Sequence, residues 1–315
     1  MQSLTELVNG PVTFMGVPHT QDLSAAKAAI LGIPFDCGVH PFRVGSRQGP
    51  LAIREQSRLM RPYNPELADY SPLQRLGLVD CGDVRLTPGR ILDAFEKSDA
   101  ALERIVAHDV VPIMMGGDGS VSHPGLRVLG RKYPGLVAIH LDSHTDTTPP
   151  VPGNEHNAGT QFHYAATERW IDPAASYHIG IRGTTYLPGG FPRTRALGYG
   201  NIITLNALFE RGVPAVLQEL QAKLKGRPVY LCLDMDVFDP SCAPGVCAPS
   251  WGGLTAREGL SILRGLAGLN IVAADINTVS PPHDVMGMTA FLASAMIYEV
   301  LVVLCRYRGL DQPQA

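Results

Sequence analysis

Eight short apolar runs, each bounded by Gly, Pro or Asp, alternate along the chain with longer segments of helical period. The runs lie at residues 28–34, 76–79, 110–114, 136–141, 177–181, 202–205, 229–233 and 271–274. The helical segments lie at 49–60, 88–108, 123–132, 207–225, 256–266 and 287–305. A strand that is apolar at every position, rather than at every second one, needs cover on both faces. Strands separated by helices long enough to serve as crossovers build a parallel sheet. The pattern predicts an α/β fold: a three-layer α/β/α sandwich with a mostly parallel sheet.

No repeat and no low-complexity linker divides the 315 residues, so one domain spanning 1–315 is expected, with the Pro- and Gly-rich stretches 148–153 and 186–192 as surface loops. Apolar residues make up 45% and charged residues 17%, enough to bury a large core. The net charge of −3 and the lack of any Lys/Arg run exclude nucleic acid as a partner. The longest apolar stretch, 288–304, is interrupted by Thr289, Ser294, Tyr298 and Glu299. It is shorter than the roughly 20 residues that span a bilayer, so it reads as a buried helix and no membrane partner is expected. The six cysteines show neither zinc-ribbon spacing nor the density of a disulfide scaffold, and residues 1–10 lack a secretory pattern; both point to a cytoplasmic protein with reduced thiols.

Three of the runs end in acidic or His-containing turns: Gly116-Gly117-Asp118, Asp142-Ser143-His144-Thr145-Asp146 and Asp234-Met235-Asp236. In an open parallel sheet, ligands bind beyond the carboxyl ends of the strands, where these turns converge. Spacing by two points Asp142, His144 and Asp146 the same way if the chain is extended there, and likewise Asp234 and Asp236. Converging carboxylates with no Arg or Lys in either turn repel one another, and a divalent cation relieves that repulsion. Mostly oxygen donors with one imidazole suit Mn²⁺, with Ni²⁺ or Fe²⁺ also possible. Two such ions could activate water for attack on an electrophilic carbon. The alternative is that each Asp simply caps a turn. Gly116-Gly117-Asp118-Gly119-Ser120 makes a poor phosphate loop, with no following Lys and an Asp inside the turn.

Taken together, segments 42–54, 116–120, 141–146, 179–182, 233–253 and 275–284 resemble the ureohydrolases, the family of arginase and agmatinase. The resemblance implies an arginase-like fold, a trimer or hexamer, and hydrolysis of a guanidinium group to urea or a urea-like product. It makes Asp142 and Asp234 bridging ligands of two ions, His144 and Asp236 ligands of one ion, and Asp146 a ligand of the other. Three family positions are changed here. Gly119 stands where the family has a metal-binding His, Ala158 where it has a His assigned a proton-shuttle or substrate-contact role, and Thr278 where it has the acid that pairs with the guanidinium.

The site lacking a His at Gly119 is accordingly expected to hold its ion weakly or not at all. His123, His156 and His163 lie near the lost positions, and His156, with Asp146, is the candidate for the catalytic role; the alternative for each is an ordinary loop histidine. Intact ligands beside lost substrate groups resemble the degraded chain of a nickel-dependent, metformin-hydrolase-type heteromer. The expected function is therefore a structural or regulatory subunit for hydrolysis of guanidino or biguanide compounds, assembled with a homologous active subunit. The alternatives are a self-sufficient agmatinase-like enzyme with a retuned Ni²⁺ or Mn²⁺ site, and a plain binding module of the same fold.

Overall fold

The computed structural model describes residues 10–38 and 42–312. Among the described residues, eight strands form one parallel sheet: β1 (Ala28–Ile33), β2 (Val79–Asp83), β3 (Val111–Gly116), β4 (Val137–Leu141), β5 (Tyr177–Ile181), β6 (Asn201–Thr204), β7 (Pro228–Asp234) and β8 (Asn270–Asn277). Their spatial order is β2-β1-β3-β8-β7-β4-β5-β6. The last two strands thus fill the gap between β3 and β4, so the turns after β3, β8, β7 and β4 lie side by side. Register sets their level: Leu141 pairs with Leu233, Leu233 with Ile276, and Asp234 with Asn277.

Helices α1 (Gly49–Ser57), α2 (Pro72–Arg75), α3 (Ile91–Ala107), α4 (Ser122–Lys132), α5 (Gln161–Thr167), α6 (Gly190–Ala196), α7 (Leu205–Arg211), α8 (Val213–Leu224), α9 (Ala256–Gly265) and α10 (Met288–Tyr307) surround the sheet. Successive strand residues feed two separate cores, as the pleat requires. Val137, Ile139 and Leu141 face α7 to α10, whereas Ala138 packs with residues of α3, α4 and α5. The three-layer expectation holds. By length and composition α10 could cross a membrane, but its residues are mostly buried inside the protein.

Several boundaries differ from the sequence reading. The segment expected as a strand at 76–79 is a strand at Val79–Asp83 instead, because an edge strand carrying Asp80 and Asp83 lacks the apolar signature. Asp80, fully buried, accepts two bonds from Arg54 on α1, at 2.8 and 2.9 Å, and others from the Phe14 and Gly82 amides. The helix expected at 207–225 is two helices broken at Gly212, whose φ of 79° only glycine adopts freely and which precedes Pro214. The loop expected at 186–192 is interrupted by α6, and α5 follows the loop expected at 148–153; both helices are too brief to show a period.

Candidate metal centre

Asp142 leaves β4 fully buried, with one oxygen accepting from the His144 amide at 2.5 Å. His144 turns its Nδ1 back toward the strand ends, 3.1 Å from Asp236 Oδ2 and 3.5 Å from Asp142 Oδ1. Gly183, just after β5, makes this possible: a Cβ there would lie 2.3 Å from His144 Nε2. Asp234 caps the 3-10 turn Met235–Val237, its Oδ1 accepting from the Asp236 amide at 2.7 Å and also from the Thr278 hydroxyl. Asp236 Oδ1 accepts from the Ser143 amide. Capping and convergence are therefore not alternatives here, because the same carboxylates do both.

The chain is not extended where these residues converge. Asp146 has a left-handed φ of 51°, and Asp236 sits within a 3-10 turn. Of the five expected residues, Asp142, His144, Asp146 and Asp236 come together, through tight turns rather than period-two alternation, and Asp234 falls outside the groups they form. Two donor groups result, one of Asp142, His144 and Asp236 and one of His140, Asp142 and Asp146, each with its ligand atoms within 4.8 Å of one another. Asp142 belongs to both. His140, a residue of β4 inside the apolar run 136–141, is the unexpected member; an imidazole inside an apolar run gives no separate signal.

At the changed positions, Gly119 follows Asp118, which accepts from the Cys37 and Ser120 amides and so fixes the turn. A Cβ on Gly119 would meet the Ala158 carbonyl at 2.9 Å, Gln161 Nε2 at 3.0 Å and Asp146 Oδ2 at 3.5 Å. Gln161 fills that space and donates to Asp146 Oδ2 at 2.5 Å. Ala158 is nearly buried, and Thr278, at φ 64°, points its hydroxyl at Asp234. His123 stacks on Phe95, His156 on Tyr164, and the two histidines meet edge to face. His156 is in neither donor group, and His163 contacts Tyr164 on α5. The structure thus builds the neighbouring histidines into an aromatic cluster rather than into the carboxylate centre.

Burial and then repulsion from Asp236 push the Asp142 carboxyl from 3.8 up to about 7. Burial, with neighbouring carboxylates, also lifts Asp146 and Asp234 well above their usual range. Asp236 falls to about 2 despite its burial, because His144 faces it, and His144 rises in turn despite its own burial. A raised folded-state pKa contributes stability below the unfolded value and loses it as pH climbs through the folded one. Buried His140, held near 4, and His178, held well below its usual value, act in the opposite sense only below pH 6.5. In EDTA, the melting temperature should therefore fall between pH 6.5 and 8, and added Mn²⁺ should raise it most at the alkaline end. A flat or rising melting temperature in EDTA over that window would contradict the assigned charge balance.

Residues 26–303 match the arginase family. The chain is 34% identical over 298 residues to a guanidinobutyrase of Pseudomonas aeruginosa, covering 94% of this chain and 92% of the relative. It is 36% identical over 296 residues to a guanidinopropionase of the same organism, with the same two coverages. Its fold superposes on proclavaminate amidinohydrolase from Streptomyces clavuligerus with a TM-score of 0.90 at 34% identity, over 95% of this chain and 98% of that one. With the sheet order, the turns of four adjacent strands and these likenesses in agreement, the chain is a member of the arginase family, a guanidino-hydrolase-like protein.

Proposed function

We propose that this chain is the catalytically reduced subunit of a mixed oligomer, of the metformin-hydrolase type, that hydrolyses guanidino or biguanide compounds. In this reading Asp142, His144, Asp146, Asp234 and Asp236 hold divalent Ni²⁺ or Mn²⁺, and the ions support assembly with a homologous active chain in a trimer or hexamer. The donor set fits such ions: oxygen donors with imidazole, several of them buried and mutually repelling. The names of the relatives support the guanidino class. All six cysteines are free, in keeping with a cytoplasmic setting.

The observation that carries the reading is Thr278. Where the family resemblance places an acid for the guanidinium stands a neutral hydroxyl already committed to Asp234. Ala158 offers no imidazole, and the ring of His156 is packed against Tyr164. Bound ions would act as Lewis acids on water and on the guanidino group. Around them, Asp142 joins the two donor groups, Gln161 fixes Asp146, and Gly183 leaves His144 its room. No side chain on this list pairs with a cationic substrate.

A second reading, a self-sufficient agmatinase-like hydrolase with a retuned centre, is favoured by the presence of His140 in a donor group. Co-expression with a homologous chain that has His, His and Glu at the positions of Gly119, Ala158 and Thr278 separates the two. The proposal expects a stable mixed oligomer whose urea release exceeds that of either chain alone at least tenfold. Failure to co-purify, with turnover by this chain unaffected by the homologue, would favour the second reading.

A further inference from the structure

Three buried side-chain atoms at the centre have no hydrogen-bond partner among the described residues: His140 Nε2, Asp142 Oδ2 and Gln161 Oε1. His140 Nε2 lies 2.8 Å from Asp142 Oδ2, near enough for a hydrogen bond but misaligned for one. Buried polar atoms are nearly always paired, so such a group calls for an explanation. Two lone pairs facing a common cation, rather than each other, account for both the closeness and the misalignment.

The remaining contacts of His140 fit this role. Its ring is fully buried and stacked on Phe162 at 4.2 Å between centroids, which fixes its plane. Its other nitrogen, Nδ1, is 2.9 Å from His178 Nδ1. With the proton on His140 Nδ1, that ring donates to His178 and leaves Nε2 as a lone pair aimed at Asp142 and Asp146. A metal-binding imidazole characteristically donates its second nitrogen in this way. Donor atoms within 4.8 Å of one another need move only a few tenths of an ångström to surround an ion with bonds of about 2.2 Å.

We propose that His140 is the imidazole ligand of the ion held by Asp142 and Asp146, taking over from the position now occupied by Gly119. Gln161 is a positioning residue in this arrangement, holding Asp146 by its amide where a side chain at 119 would otherwise stand. The inference rests on the reading that the centre binds divalent ions, and it makes that centre a two-ion site again.

Titration of EDTA-stripped protein with Mn²⁺, followed by calorimetry and elemental analysis, tests it without recourse to activity. The wild type should bind about two ions per chain. His140→Phe, which keeps the stack on Phe162, should keep one ion and bind the other at least ~100-fold more weakly. In Co²⁺-loaded wild type, two hyperfine-shifted exchangeable imidazole N–H resonances, from His140 and His144, are expected, a readout that does not depend on any variant folding. One such resonance, or ion binding unchanged in a folded His140→Phe protein, overturns the role of His140 while leaving the metal reading intact. Absence of any bound ion in the wild type overturns the metal reading itself and this inference with it.

Discussion

Asp142→Asn should raise the melting temperature of the metal-free protein by about 2–4 °C at pH 7.5 while removing all stabilisation by Mn²⁺. Asp142 is fully buried and held near pH 7 by its surroundings, chiefly burial and Asp236, so its ionised form weakens the empty fold. The amide keeps an oxygen for the His144 amide and removes the charge. The same change deletes the one residue shared by both donor groups, so neither ion keeps its full set of ligands. For the wild type, metal at a hundredfold excess over its dissociation constant contributes about 2.7 kcal/mol, a shift of roughly 5 °C. Thermal melts of both proteins in EDTA and in Mn²⁺ decide the matter. A variant that melts lower in EDTA and still gains from Mn²⁺ would show that Asp142 is an ordinary capping residue.

Arg54→Met should cost about 3–5 kcal/mol, because it strands Asp80 rather than removing a balanced pair. Arg54 and Asp80 are both buried, joined by a bidentate contact, and Arg54 also reaches Asp83. Their pairing ties α1 to the edge strand β2. With the guanidinium gone, Asp80 retains, among the described residues, the Phe14 and Gly82 amides. The double variant Arg54→Met/Asp80→Leu should recover a good part of the loss, since an apolar pair carries no desolvation cost. Urea midpoints measure both; a loss below about 1 kcal/mol for the single variant would class the pair with exposed ion pairs.

The sheet was legible because its strands are buried on both faces and therefore apolar throughout. β2 was misplaced for the complementary reason: Val79-Asp80-Cys81-Gly82-Asp83 owes its place to Arg54 and to pairing with β1, neither visible in local composition. Gly212 and Pro214 did mark a break, but a continuous apolar period across it reads as one helix. At the site, the turns were identifiable from strand ends meeting acids, yet the reason they converge was not. Asp146 depends on a left-handed backbone and Asp236 on a 3-10 turn, conformations that spacing alone does not encode. His140 and Gln161 were invisible for a different reason. One lies inside an apolar run and the other follows a loop, and only their shared proximity to Asp146 gives them meaning.

The account stands on one combination: a centre that holds metal in a chain that lacks the groups to handle a guanidinium. Measuring bound metal and urea release on a single preparation of the chain, purified alone from Ni²⁺- or Mn²⁺-supplemented cells and assayed with guanidines and biguanides, tests it most directly. The account predicts about two ions per chain and urea release no faster than free metal in buffer. Turnover of about 1 s⁻¹ or more by the lone chain, a rate ordinary for an enzyme, would contradict it, as would a chain that carries no metal at all.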